Sequence, residues 1–470
     1  MSTESENLLR ALPPVNELVQ HSSVATLISE HGRNVVLAWV REELDDARKK
    51  LLADDNGQPA ADRESMTNLM IDRVTNRADA ANRSQIGRVI NATGVILHTG
   101  LGRAPLSKAA QSALSQLAGA GNVEIDLETS ERRYRGHQLQ PAWKNLTEAE
   151  DSLIVNNNAA ATLLTLQTLC AGKEVVISRG QLIEIGGSFR LPEIFELSGA
   201  ILHEVGTTNR TKLSDYEQAI GPETAAIMHV HPSNYRVIGF TATPDIDELA
   251  PLAREHNVVA IDDIGSGSLV DVTRYGLPRE PTFIESIAHG ADVVLGSGDK
   301  LLGGPQCGII LGKSEFVSQV RQHPLARAVR VGKLTLAALS ATLDSYLRDC
   351  AEEEIPTIAM LAATQEDLSE RADSIRNEVG NIASLSIDIE QDMAPVGGGT
   401  LPGAELPTAV VSLRHGSLSS EELSQRLRLG SIRVFGRIQQ DRVLIDLRSI
   451  DPDDDSRVAL AIRVVAESNA

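Results

Sequence analysis

The alternation of short apolar runs with amphipathic stretches predicts an α/β protein built on a mostly parallel, doubly wound sheet. Three observations carry this. From residue 152 to 296 the chain reads as strands at 152–155, 174–178, 200–204, 225–230, 258–262 and 293–296. Helical patterns separate them: an apolar helix running to Cys170, then helices at 184–198, 213–220 and 246–255. The third observation is composition. Apolar residues make up 42% of the 470 and aromatics 3%, so a sizeable core must be aliphatic. In such a sheet ligands sit at the carboxyl ends of the strands. The informative residues are therefore those at strand ends: 156–160, Arg179, 231–234, Asp263 and 297–300.

Residues 1–85 read as a separate helical domain. Apolar residues recur at helical spacing over 24–51, which closes on Arg48-Lys49-Lys50, as suits a helix C-terminus. A loop follows at 53–59 and a second helix is predicted at 65–77. This segment holds 10 Lys and Arg against 14 Asp and Glu, a net of −4, and the whole chain carries −20. No basic stripe of the kind nucleic acid requires is visible. The start MSTESENLLR has neither the basic nor the apolar region of a secretory leader, and no apolar run reaches the roughly 18 residues that a membrane span needs. Cys170, Cys307 and Cys350 have no paired or metal-like spacing, which fits a reducing, cytoplasmic setting.

The main domain is expected over 86–345. It opens with Ile-Asn-Ala-Thr-Gly at 90–94 and a Gly-Arg-Ala-Pro turn that constrains Arg103, either an anion-binding or a surface arginine. The polar, basic loop 126–138 is long for a connection and is expected to face a substrate. After the strand at 152–155, Asn157, Asn158 and Ala159 open a helix. A strand, a small-residue turn and a helix start form a phosphate cradle, although Asn is also a favoured N-cap. His231, in His-Pro-Ser-Asn, can stack on a cofactor ring, hold its hydroxyl, or simply order a loop. Asp263 ends its strand and leads into Ile-Gly-Ser-Gly. It can pair with a protonated pyridine nitrogen, and Asp262, on the other face of the strand, is its competitor.

The chain is organised around 292–312. An apolar run at 293–295 stops at Gly296-Ser297-Gly298, which puts Ser297 and Lys300 at a strand end. Gly303-Gly304-Pro305 forces a turn and 307–311 returns as a second strand, making a hairpin. A lysine on a tight, glycine-lined turn suits a Schiff-base amine, because desolvation lowers its pKa and glycine allows close approach.

Gly-Asp-Lys-Leu-Leu-Gly-Gly-Pro-Gln at 298–306, Asp-Ile-Gly-Ser-Gly at 263–267, the run 156–161 and 90–94 together resemble the bacterial selenocysteine synthases. These are L-seryl-tRNA(Sec) selenium transferases, pyridoxal-phosphate enzymes of the aspartate-aminotransferase fold, fold type I. The resemblance covers nearly the whole chain. It implies that Lys300 is the pyridoxal-phosphate lysine, Asp263 the pyridine partner, and Arg103, Arg327 and Arg330 the arginines for the phosphate of selenophosphate. It implies conversion of L-seryl-tRNA(Sec) to L-selenocysteinyl-tRNA(Sec) through a cofactor-bound aminoacrylyl intermediate. It further implies a homodecamer whose N-terminal domain grips the tRNA. Cys307 departs from the small residue expected beside the lysine turn.

Residues 346–470 are expected to form a small α/β lobe. Helices are predicted at 336–347, 358–379 and 452–465, with strands at 409–413, 431–435 and 442–446. Two other readings stand beside the main one. A related pyridoxal-phosphate lyase would act on a small amino acid or amino-sugar phosphate without tRNA, and the helical N-terminal segment argues against it. A non-catalytic assembly protein would have no use for Lys300 and Asp263.

Overall fold

A computed structural model describes residues 11–53, 62–83, 86–186 and 189–468. The chain divides into two units, Met1–Arg88 and Val89–Ala470. The first is helical, with helices Val15–Gln20, Ser22–His31, Arg33–Ala53 and Arg63–Arg83. The single run expected over 24–51 is broken at Gly32, whose φ of +85° only glycine adopts freely. Leu18, Val24, Val36, Val40, Leu44, Met70 and Val74 form its core. Arg77 ties two of its helices together, pairing with Glu42 and donating to Glu43 Oε1 at 2.9 Å. The side chain of Arg83 lies outside the described residues.

The second unit carries fourteen strands among the described residues. They are β1 Ile90–Ala92, β2 Asp151–Val155, β3 Glu174–Ser178, β4 Glu184–Ile185, β5 Phe189–Arg190, β6 Ile201–Val205 and β7 Thr224–Val230. There follow β8 Val259–Gly265, β9 Val293–Ser297, β10 Gly308–Gly312, β11 Leu385–Pro395, β12 Glu405–His415, β13 Val434–Gln439 and β14 Arg442–Asp446. The large sheet has the order β2-β10-β9-β8-β7-β3-β6, and β10 alone runs against the others. Val294 packs into one aliphatic core and its neighbours Val293 and Leu295 into another, so both faces of the sheet are covered. The hairpin expected around the lysine is present, with Ser297 opposite Gly308.

Some elements depart from expectation. The short strands β4 and β5 pair antiparallel, and the helix begins only at Leu191, where Pro192 fits the first turn. The helix expected over 358–379 is two, Pro356–Ala362 and Gln365–Val379. Thr364 divides them by capping Asp367 N–H, while Asp367 bonds back to Thr364. Strand β11 was not expected, though Leu385, Ile387 and Ile389 alternate with Ser386, Asp388 and Glu390. It pairs with β12 along eleven residues. The second sheet has the order β1-β13-β14-β12-β11, so residues 90–92, expected in the large lobe, pair instead with the C-terminal strands. Only a contact more than 340 residues long in sequence decides that, and no local pattern announces it.

Close approaches fix the lysine hairpin. Gly267 has φ +66°, and a Cβ there would lie 2.1 Å from the carbonyl oxygen of Ser297. Gly276 has φ +79° with open space around it. Gly276→Ala should cost about 1 kcal/mol, the conformational term alone. Gly267→Ala should cost well over twice that, read as the larger fall in urea midpoint. Equal losses would mean that β8 and β9 do not approach as closely as described.

Candidate active site

The carboxyl ends of β2, β7, β8 and β9 border a cavity of about 200 Å³. Lys300, Asp263, Asn157, Asn158, Ala159, His231, Ser297 and Arg103 all line it. Most of the strand ends singled out by sequence thus contribute to one cavity, but Arg179 does not.

Lys300 is placed by glycines. A Cβ on Gly298 would sit 2.4 Å from Cys307 Sγ, so the bare glycine is what makes room for that sulfur. Gly303 and Gly304 close the turn with bonds to the carbonyls of Lys300 (2.9 Å) and Gly298 (2.8 Å). The lysine is 4% exposed, and Nζ donates to the carbonyl of Gly399 at 3.0 Å. Burial holds its pKa below the ordinary value, and the charge of Arg103 adds to this. Asp263, Asp299 and Glu280 pull the other way.

Asp263 is held by three donors: Asn158 Nδ2 (2.8 Å) and Gly265 N–H (3.1 Å) on Oδ1, and Thr162 Oγ1 (3.0 Å) on Oδ2. Burial nonetheless raises its pKa, against the lowering by Asn158, Thr162 and Lys300. Asp262, the competing aspartate, bonds to His229 Nδ1 at 2.8 Å and does not line this cavity. Asn157 is an N-cap, its side chain accepting from Ala160 N–H at 2.8 Å. Asn158, the first residue of the helix Asn158–Cys170, turns its amide to Asp263.

Arg103 takes a left-handed backbone (φ +61°) and donates to Asp299 Oδ2 at 2.9 Å. His231 is anchored by its N–H on the carbonyl of Asp263 (3.0 Å), and its Nε2 meets Glu280 Oε2 at 3.1 Å. Arg327 and Arg330 are exposed on the segment 324–330 and do not line the cavity, although Asn156 N–H bonds to Val329 beside them. Arg179 is occupied by Glu204 and the carbonyl of Gly206. The loop at 126–138 folds on itself instead of facing the cavity: Arg132 and Arg135 both pair with Glu124.

Three participants were not anticipated, and Asp299 fell within 297–300 without a role of its own. Thr162 lies one helical turn after Asn158, a spacing that could have exposed it. Glu280 and Gly399 carried no local signal, apart from the run Gly397-Gly398-Gly399. A Cβ on Gly399, where φ is +84°, would reach 3.0 Å from Lys300 Nζ.

A largely parallel sheet with a buried lysine and aspartate at its strand ends defines a pyridoxal-phosphate-type α/β enzyme of fold type I. The solved structure of a D-glucosaminate-6-phosphate ammonia-lyase shares this fold, with a TM-score of 0.57 and 22% identity, covering 82% of this chain and 96% of that one. The chain belongs to the L-seryl-tRNA selenium transferase family, whose model matches residues 89–451. A second model, selenocysteine synthase N terminal, matches residues 9–48. The chain is 43% identical to the L-seryl-tRNA(Sec) selenium transferase of Alkaliphilus metalliredigens (strain QYMF), over 98% of this chain and 99% of the relative. It is 45% identical to that of Moorella thermoacetica, over 98% and 97%.

Desolvation of Lys300 has a signed consequence for stability. A folded-state value below 10.5 means the unfolded chain binds the extra proton, so the burial cost is full at low pH and fades as pH approaches 10.5. Lys300→Met should therefore melt above wild type when both lack cofactor, by more at about pH 6 than at about pH 9.5. A variant that melts lower at both would show that the lysine charge is not desolvated.

Proposed function

We propose that this cavity binds pyridoxal phosphate and exchanges the hydroxyl of L-seryl-tRNA(Sec) for selenium, giving L-selenocysteinyl-tRNA(Sec), with selenophosphate as the donor. Family membership over nearly the whole chain carries this reading.

The residues fit the cofactor. An aldehyde calls for a close, desolvated amine, and Lys300 is that group. Asp263 is a buried acid met mainly by neutral donors, so a protonated ring nitrogen supplies its missing countercharge. The first turn of Asn158–Cys170 offers backbone N–H groups to a phosphate, and Asn158 Oδ1 is buried without a partner among the described residues. When bound, pyridoxal phosphate supplies an electron sink for the pair left on the seryl Cα.

The remaining work belongs to the chain. Lys300 would hold the cofactor through Nζ and, when that atom is free, would take the seryl α-proton there. The Gly399 carbonyl holds Nζ in place. Asp263 would hold a protonated ring nitrogen. Arg103, steadied by Asp299, presents a guanidinium to anionic oxygens of the donor. Arg327 and Arg330 remain the candidates that the resemblance gives for the same phosphate. Residues 1–88 serve tRNA binding, with Arg73 a better candidate contact than Arg77, which is engaged by Glu42 and Glu43. Assembly is expected as a homo-oligomer, a decamer by resemblance, and gel filtration reads it. Among the described residues no helix is long and apolar enough to cross a membrane. A charged tRNA as substrate and three free cysteines fit the cytoplasm.

The test is conversion of seryl-tRNA(Sec) by the loaded protein with selenophosphate. Lys300→Ala should abolish it. Asp263→Asn should lower turnover by roughly 10²-fold or more while cofactor is retained. If seryl-tRNA(Sec) is left untouched and an amino-sugar phosphate loses its amine instead, the small-substrate lyase is the right reading.

Removal of residues 1–88 should leave cofactor uptake intact and abolish seryl-tRNA(Sec) binding in a gel-shift titration. Full-length binding should weaken with salt, by a slope of about one per phosphate contact. Unchanged affinity after truncation would move the tRNA grip to the second unit.

A further inference from the structure

The reaction needs a proton at the leaving hydroxyl, and the ammonium that Lys300 becomes on taking the α-proton is one source of it. The hydroxyl departs from Cβ as water only once protonated, and two residues beside the lysine are arranged as a second source. His231 follows β7, and its backbone is tied to Asp263 at 3.0 Å, so the ring is fixed relative to the strand that bears the aspartate. Its Nε2 donates to Glu280 Oε2 at 3.1 Å. That commits one ring nitrogen and leaves Nδ1 without a partner among the described residues, and His231 lines the cavity it shares with Lys300.

Glu280 is 3% exposed, and its other oxygen, Oε1, is buried with no hydrogen bond among the described residues. Burying a carboxylate so sparsely partnered is costly, and an amide or an apolar side chain would avoid the cost. Charged side chains lining the two pockets that His231 borders are Asp263, Lys300, Asp299, Arg103, Arg236, Arg279 and Glu280. Arg103 pairs with Asp299, and Arg279 with Asp245 and Glu285, while Glu280 pairs with the imidazole.

We propose that His231, as its imidazolium, is the acid that protonates the departing seryl hydroxyl from Nδ1, and that Glu280 is the positioning residue that fixes the ring by holding Nε2–H. In this step the Nδ1–H bond breaks and an O–H bond forms. The Cβ–O bond breaks with its electron pair, and the pair on Cα closes a Cα–Cβ double bond. Water leaves, and Nδ1 is reprotonated from solvent. The inference rests on reading the cavity as the seryl-tRNA(Sec) site.

The experiment compares two substrates on the loaded enzyme: seryl-tRNA(Sec), and O-acetylseryl-tRNA(Sec), whose acetate leaves without a proton. With seryl-tRNA(Sec), His231→Gln and Glu280→Gln should lower kcat by roughly 10²-fold, with KM within about threefold. Glu280→Asp should recover about tenfold of that loss. With the acetylated substrate all variants should come within about threefold of wild type. In cofactor-free protein, the fall in Tm of the double variant should be smaller than the sum of the two single falls, as for residues that act as a pair. Equal defects on both substrates, full activity in Glu280→Gln, or additive Tm losses would each overturn the proposal while wild-type conversion upholds the reading of the site. A wild type that converts neither substrate would overturn both.

Discussion

Burying an amine at the end of a strand is the constraint on which the rest of this structure depends. Lys300 sits almost wholly out of water, and the surrounding structure must compensate for that or suffer it. The compensation is modest: one carbonyl, from Gly399, and the more distant charges of Asp263, Asp299 and Glu280. Desolvation outweighs them, and the amine is held toward its neutral, nucleophilic form. Several features follow from that position. Gly298 must lack a side chain to admit Cys307, and Gly267 must lack one to pass the carbonyl of Ser297. The second sheet must deliver residues 397–400 over the amine, and its own register of eleven paired residues fixes where they land.

Asp263 carries the opposite sign of the same problem. Its oxygens are satisfied by an amide, a hydroxyl and a backbone N–H, none of them charged. Without a cationic partner the acid is pushed up by burial. A site that leaves an amine desolvated and an acid under-compensated is strained in two places at once, and a cofactor with an aldehyde at one end and a basic ring nitrogen at the other would relieve both. Perturbed titrating groups of this kind are the usual mark of a functional cavity.

The local parts of this account were legible in the sequence. Apolar runs ending in glycine gave the strands of the large sheet, and the residues at their ends gave Lys300, Asp263 and Asn157–Ala159, because a parallel sheet gathers its strand ends on one side. What could not be read were pairings between distant segments. Strand β1 joins β13 across the length of the second unit, and the Gly399 carbonyl that holds Lys300 lies 99 residues away in sequence. Glu280 meets His231 over 49 residues. The arginines show the same limit. Arg135 and Arg179 look alike in sequence to Arg103, but each is engaged by acids or carbonyls and neither lines the cavity. The helix expected over 184–198 failed for a different reason: Pro192 fits only the first turn of a helix, which starts at Leu191.

The central claim is that Lys300 is the amine that anchors the cofactor. It is tested most directly by incubating the full-length protein with pyridoxal phosphate, fixing the adduct with borohydride and mapping the modified peptide by mass spectrometry. The account expects one stoichiometric modification, on Lys300 in the peptide Gly298–Gln306. A modification at another lysine, or none above the level seen with Lys300→Ala, would contradict it.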